Sequence, residues 1–205
     1  MGMTPEQANA LVREQEPFIF GRMFGAVEKV RERMERACQA LENAGILYAV
    51  IGGNAVAAWV ATKDDGAVRN TRDVNLLLRG EDLDRATEAM QSVGFYRDKV
   101  MDVTVFLDGP DGKPSQGVHI LRAEQKVKET YASPAPRIDQ SIMIEGKRIV
   151  ELEELVRMKL NSYRDKDRTH LRDMIGVGLI DENWPSRFES PLDERLQTLL
   201  DDPEG

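Results

Sequence analysis

The sequence predicts an α+β (α/β) fold, with strands and helices alternating around one sheet, helices ahead of it and a helical C-terminal part behind it. Three observations predict it. Apolar residues recur at steps of three and four in "GAVEKVRERMERACQALENAG". Apolar runs of strand length stand at "ILYAVIGG" and "VNLLL". From residue 151 onward the pattern becomes almost wholly helical. With 205 residues, 41% of them apolar, the chain has enough material for a real core.

Taken in order, Val27, Val30, Met34, Ala37 and Leu41 form the apolar stripe of an amphipathic helix that Gly45 closes, and the whole stripe is expected in the core. Ile46 to Ile51 reads as a strand ending in Gly52 and Gly53, and "NAVAAWVA" as a short helix entered from that turn near Asn54. The polar loop "TKDDGAVRNTR" leads to a strand over Val74 to Leu78. Leu83, Ala86, Met90 and Val93 mark the next helix, with Asp82 as N-cap and Gly94 at its C-terminal end. "VMDVTVFLDGPDGKPSQGVHIL" reads as two strands around a glycine- and proline-rich connection, the second over Val118 to Leu121. "SIMIEGKRIVEL" is a hairpin candidate turning at Glu-Gly. Leu152, Leu155, Val156 and Leu160 then stripe a helix, Leu171 and Met174 continue it, and one more short helix precedes an acidic tail. The expected organisation is a core over 1–150 and a helical segment over 151–205 that packs on the core and closes its cleft.

Composition excludes several chemistries. One cysteine, Cys38, rules out an intrachain disulfide framework, and its place beside the helical stripe makes it a small buried residue rather than a nucleophile. Two histidines, His119 and His170, leave little for a histidine-built metal site. No apolar run reaches the roughly 18 to 20 residues that span a bilayer, and the N-terminus lacks the pattern of a signal peptide, so the expected location is the cytoplasm, away from membranes. A formal net charge of −8 disfavours broad nucleic-acid binding.

The chemistry concentrates around "RNTRDVNLLL". Alternation along a strand puts Asp73 and Asn75 on one face and Val74, Leu76 and Leu78 on the other. Gly52 and Gly53 allow close backbone approach, and the helix after them offers unpaired N–H groups to an anion, so a phosphate-sized pocket is expected there. His119 joins it if the three strands share a sheet. Each of these residues also has a purely structural reading: a plain glycine turn, a strand-end pair that satisfies loop backbone, a half-buried histidine.

In this order and spacing, "VIGGNAVAAW", "RNTRDVNLLL" and "GVHILRA" resemble the nucleotidyltransferase superfamily, in the branch of minimal nucleotidyltransferases and AbiEii-type toxins. "LEELVRMKLNSYRDKDRTHLRDM" is similar to the helical segment that closes the site in that branch, with Lys159, Arg164, Asp167 and Asp173 as its polar members. The resemblance covers roughly Ile46 to Met174. It implies a mixed sheet flanked by helices and transfer of a nucleoside monophosphate from an NTP to a hydroxyl of an unknown acceptor, whether protein, RNA or small molecule. It implies that Gly52, Gly53, Asn54, Arg69, Thr71, Lys159 and Arg164 bind the nucleotide, and that Asp73 and Asn75, with Asp102 as a substitute ligand, hold a weakly bound Mg²⁺. Asp73, Asn75 and His119 occupy the positions of the family's catalytic triad of carboxylates, and two of the three are not carboxylates. An amide brings no charge to a hard cation. The alternatives are therefore a catalytically inactive member with a binding or regulatory role, or the toxin component of a toxin–antitoxin pair.

Overall fold

The computed structural model describes residues 3–100 and 103–203. Its first element, α1 (Pro5–Asn43), begins with a capping box in which Thr4 and Gln7 exchange side-chain and backbone hydrogen bonds. Ala37, Cys38 and Leu41 are buried, but Val27 is 39% exposed and Val30 and Met34 are only partly covered. This corrects the expectation that the whole stripe is core. At about 1.5 Å per residue the helix is close to 60 Å long, and among its described side chains the buried ones lie between Arg33 and Leu41.

Among the described residues seven strands follow: β1 (Tyr48–Ile51), β2 (Val74–Leu78), β3 (Phe95–Val100), β4 (Val103–Asp108), β5 (Val118–Arg122), β6 (Ser141–Ile144) and β7 (Lys147–Val150). They form one mixed sheet in the order β3-β4-β5-β2-β1-β7-β6. β2 sits at its centre, antiparallel to β1 and parallel to β5. This register aligns Ile51, Asn75 and His119 in one row across three strands. β3, whose polar "YRDK" hides its strand pattern, was not expected from the sequence; it forms by pairing with β4, which supplies the hydrogen bonds that its composition does not advertise. The β6–β7 hairpin turns at Glu145 and Gly146, both with positive φ (48° and 76°), as a two-residue primed turn requires.

The remaining helices are α2 (Gly52–Ala61), α3 (Leu83–Ser92), α4 (Leu152–Ser162), α5 (Asp165–Gly176) and α6 (Leu192–Asp201). α2 starts at the glycine pair itself rather than near Asn54, and it packs on β1, β2 and β7 and against α4 and α5. α3 buries Leu83, Ala86 and Met90; Asp82 caps it by position only, since its carboxylate accepts from Arg85 instead. α1 lies on α3 and reaches β2 and β5. The buried guanidinium of Arg33, 3.0 Å from Asp108, ties α1 to β4. Tyr163, in the left-handed conformation (φ 43°), ends α4 and turns the chain sharply into α5. The two ends of that corner therefore face each other, which decides the geometry of the site.

Candidate functional site

A cleft of about 620 Å³ opens between the central strands and the α4–α5 corner. Its sheet wall comes from the starts of α2 and β2. Gly52 has φ +71°, and a β-carbon there would lie 2.9 Å from Asn75 Nδ2 and 3.1 Å from Asn75 Cβ. A β-carbon on Gly53 would lie 2.9 Å from Thr71 Oγ1. Both positions thus require glycine, one for conformation and both for space.

Asp73 and Asn75 sit side by side and both line the cleft. Asn75 Nδ2 donates to Asp73 Oδ2 at 3.0 Å, and the Thr71 hydroxyl donates to Asp73 Oδ1 at 3.1 Å. Burial pushes the Asp73 carboxyl up. Hydrogen bonds from Asn75 and Thr71, its own backbone N–H and the charge of Lys166 together outweigh that, so it is held below the ordinary carboxylate range. His119 stands beside Asn75 on the neighbouring strand and lines the same cleft, with Nε2 2.8 Å from the Pro114 carbonyl. A carbonyl only accepts, so Nε2 carries the proton.

Asn54 and Arg69 are placed elsewhere. The Asn54 amide donates to the backbone carbonyl of Asp73 at 2.9 Å and so fixes the strand entry from behind. Arg69, largely exposed, pairs with Asp173 at 2.8 Å. Neither lines the cleft. Asp102 lies outside the described residues.

The helical wall is dense in charge. Asp167, 1% exposed, accepts from Lys159 Nζ at 3.2 Å, from Arg164 Nε at 2.7 Å and from the Ser162 hydroxyl at 2.8 Å. Burial alone would raise its carboxyl, but the Arg164 hydrogen bond and the Lys159 charge, with Ser162, bring it down to about 2. Lys159 is itself buried, which lowers its ammonium despite Asp167, and its Nζ lies 2.9 Å from His170 Nδ1. Burial, then the charge of Lys159, lowers His170 to about 4, so it is neutral at pH 7. Lys159 and Arg164 line the cleft, and both are engaged with Asp167.

Several lining residues were not singled out from the sequence: Arg72, Lys128, Tyr131, Ser162, Lys166 and His170. Lys128 and Tyr131 ride on a loop held by the buried Asn161, whose Oδ1 accepts from the backbone N–H of Ala132 at 2.9 Å and whose Nδ2 donates to Ser133 Oγ at 2.7 Å. An Asn on the stripe side of the otherwise amphipathic α4 is the signal that a loop docks there. Cys38 is 1% exposed, and burial pushes its thiol up to about 11, which removes it from nucleophilic chemistry. Among the described residues no group of three or more His, Cys, Asp and Glu side chains could hold a metal ion, and no helix is long and apolar enough to cross a membrane.

No protein-family model and no curated protein sequence matches the chain. Solved structures do. The antibiotic-resistance factor ANT(2'')-Ia superposes with a TM-score of 0.55 at 14% identity, over 86% of this chain and 91% of that one. The Megavirus polyadenylate synthase gives 0.53 at 12% identity; 88% of this chain matches, spanning 39% of the viral protein. An antigenic nucleotidyltransferase-like protein from Paracoccidioides brasiliensis gives 0.50 at 19% identity, over 86% and 89%. At these identities the likeness is one of fold, and the fold of this chain is that of the nucleotidyltransferases.

Proposed function

We propose that the chain binds a nucleoside triphosphate in this cleft and transfers its nucleoside monophosphate to a hydroxyl of an acceptor. One observation carries the reading: in a chain of net charge −8, Arg72, Lys128, Lys159, Arg164 and Lys166 line the cleft against the two carboxylates of Asp73 and Asp167. Such a cleft attracts polyphosphate, and the first-turn N–H groups of α2 beside it add donors. The fold supports the reaction class; the proteins it resembles range from an antibiotic-resistance factor to a polyadenylate synthase, so the acceptor does not follow from fold.

Mg²⁺ is the metal that the fold implies, and the side chains here do not suit it. Asp73 is a single carboxylate with both oxygens already accepting hydrogen bonds. Asn75 must turn its N–H side toward Asp73, because its carbonyl would be repelled there, and His119 Nε2 is occupied by Pro114. The chemistry assigned to the chain's own residues is therefore this. The cations hold the β- and γ-phosphates; Asp73, ionised at neutral pH, takes the proton of the acceptor hydroxyl as its oxygen bonds to the α-phosphorus. The bond between that phosphorus and the bridging oxygen breaks, and pyrophosphate leaves against the cationic wall.

A second reading is a nucleotide-binding protein without turnover, favoured by the amide of Asn75 beside Asp73. Titration with each of the four NTPs, followed by transfer of an α-phosphate label to candidate acceptors, tests both. Binding with label transfer that Asp73→Ala abolishes supports the first reading; binding without transfer supports the second. Absence of binding by every NTP overturns both.

A further inference from the structure

We infer that Lys166 supplies, in the cleft it shares with Asp73, the positive charge that a divalent ion would supply between two carboxylates, and that the cleft consequently takes polyphosphate without a divalent cation. The part concerning polyphosphate rests on the proposed function; the part concerning Lys166 and Asp73 does not.

Lys166 is the second residue of α5, just past the sharp corner at Tyr163, and its side chain lines the cleft together with Asp73. Lys159 and Arg164 bond Asp167, whereas Lys166 is exposed at the start of α5 and presents its charge to the cleft that Asp73 also lines. A hard cation approaching Asp73 meets one formal negative charge, two donors already on its oxygens, and the cations Lys166 and Arg72. Hard-cation affinity tracks the number of charged oxygen ligands, so this arrangement repels the ion it would have to attract. For a triphosphate the same arrangement is favourable, since an ammonium and a guanidinium neutralise phosphate oxygens directly.

The test uses the full chain and Mn²⁺ alone, followed by calorimetry or paramagnetic resonance, then ATP titrations in EDTA and in Mg²⁺. The wild type is expected to show no saturable Mn²⁺ binding up to about 1 mM, whereas Lys166→Met and Asn75→Asp each bring binding into range, the second by adding a charged oxygen ligand. ATP affinity of the wild type should agree in EDTA and Mg²⁺ within about threefold, and Lys166→Met should lower it about tenfold in EDTA and regain most of that in Mg²⁺. Lys166 is exposed, so its replacement leaves folding intact, which the melting temperature checks. Wild-type Mn²⁺ binding below about 1 mM that Asp73→Ala or Asp102→Ala removes would overturn the inference, because a complete metal site would then exist. Lys166→Met that changes neither Mn²⁺ nor ATP binding would overturn it as well. Failure of ATP to bind any of these proteins would defeat the proposed function, while the Mn²⁺ titration would still decide the role of Lys166.

Discussion

The sheet wall and the helical wall of the cleft are made by different physical means. On the sheet wall, Gly52 and Gly53 leave room for Asn75 and Thr71, and those two hold Asp73 by hydrogen bonds from uncharged donors; shape does the positioning. On the helical wall, Lys159, Arg164 and Asp167 form an ion cluster closed off by Ser162 and His170, and charge does the positioning. Residues of one proposed site therefore differ in what their removal does. A sheet-wall change should alter the fit of a ligand, whereas a helical-wall change should reach the stability of the chain.

Asp167→Asn breaks this contrast most severely. It leaves the buried Lys159 without its counter-charge, and a loss of about 3 to 5 kcal/mol is expected in urea unfolding. A loss under about 1 kcal/mol would mean that the cluster is not what holds α4 to α5. Next comes Gly52→Ala, which adds a left-handed alanine and a contact 2.9 Å from Asn75 Nδ2. It should destabilise by about 2 kcal/mol and also displace Asn75, so nucleotide affinity should fall further than melting temperature alone explains. Equal losses in both would remove the distinction between the walls.

The pH dependence sharpens the same contrast. His170 titrates at about 4 when folded against its ordinary 6.5, so the unfolded chain takes up the proton first and stability falls as pH drops from about 6.5 toward 4. Asp167, at about 2 when folded against its ordinary 3.8, contributes stability in full above its unfolded value and loses it as pH falls toward 2. His170→Gln should flatten the upper window and leave the lower one, as urea midpoints at pH 7, 4.5 and 3 would show. The smallest effect is expected from Arg69→Ala. Its pair with Asp173 is solvent-facing on the arginine side, and the change should stay below about 1 kcal/mol and leave nucleotide affinity within twofold. A tenfold affinity loss there would return Arg69 to the ligand site.

The fold class, most of the elements and the pairing of Asp73 with Asn75 are legible along the chain, because these depend on local periodicity: 3.6 residues in helices, two in strands, and glycine where φ is positive or space is short. The stripe of Leu83, Ala86 and Met90, the Glu145-Gly146 turn and the buried strand Val74–Leu78 were all readable in this way. Tertiary structure alone decided the rest. β3 exists because β4 pairs with it, and Val27 stays exposed because it precedes the stretch of α1 from Arg33 to Leu41 that packs into the core. Lys159 meets Asp167 because Tyr163 turns the helix, and Lys166, Lys128 and Arg72 share a cleft with Asp73 although they come from three separate segments. Charge has no period along the chain. Which partner a lysine or an aspartate meets is set by where distant segments are folded together, and here that choice made Asp167 the counter-ion of Lys159 and Arg164 and set Asp73 among the hydrogen-bond donors Asn75 and Thr71.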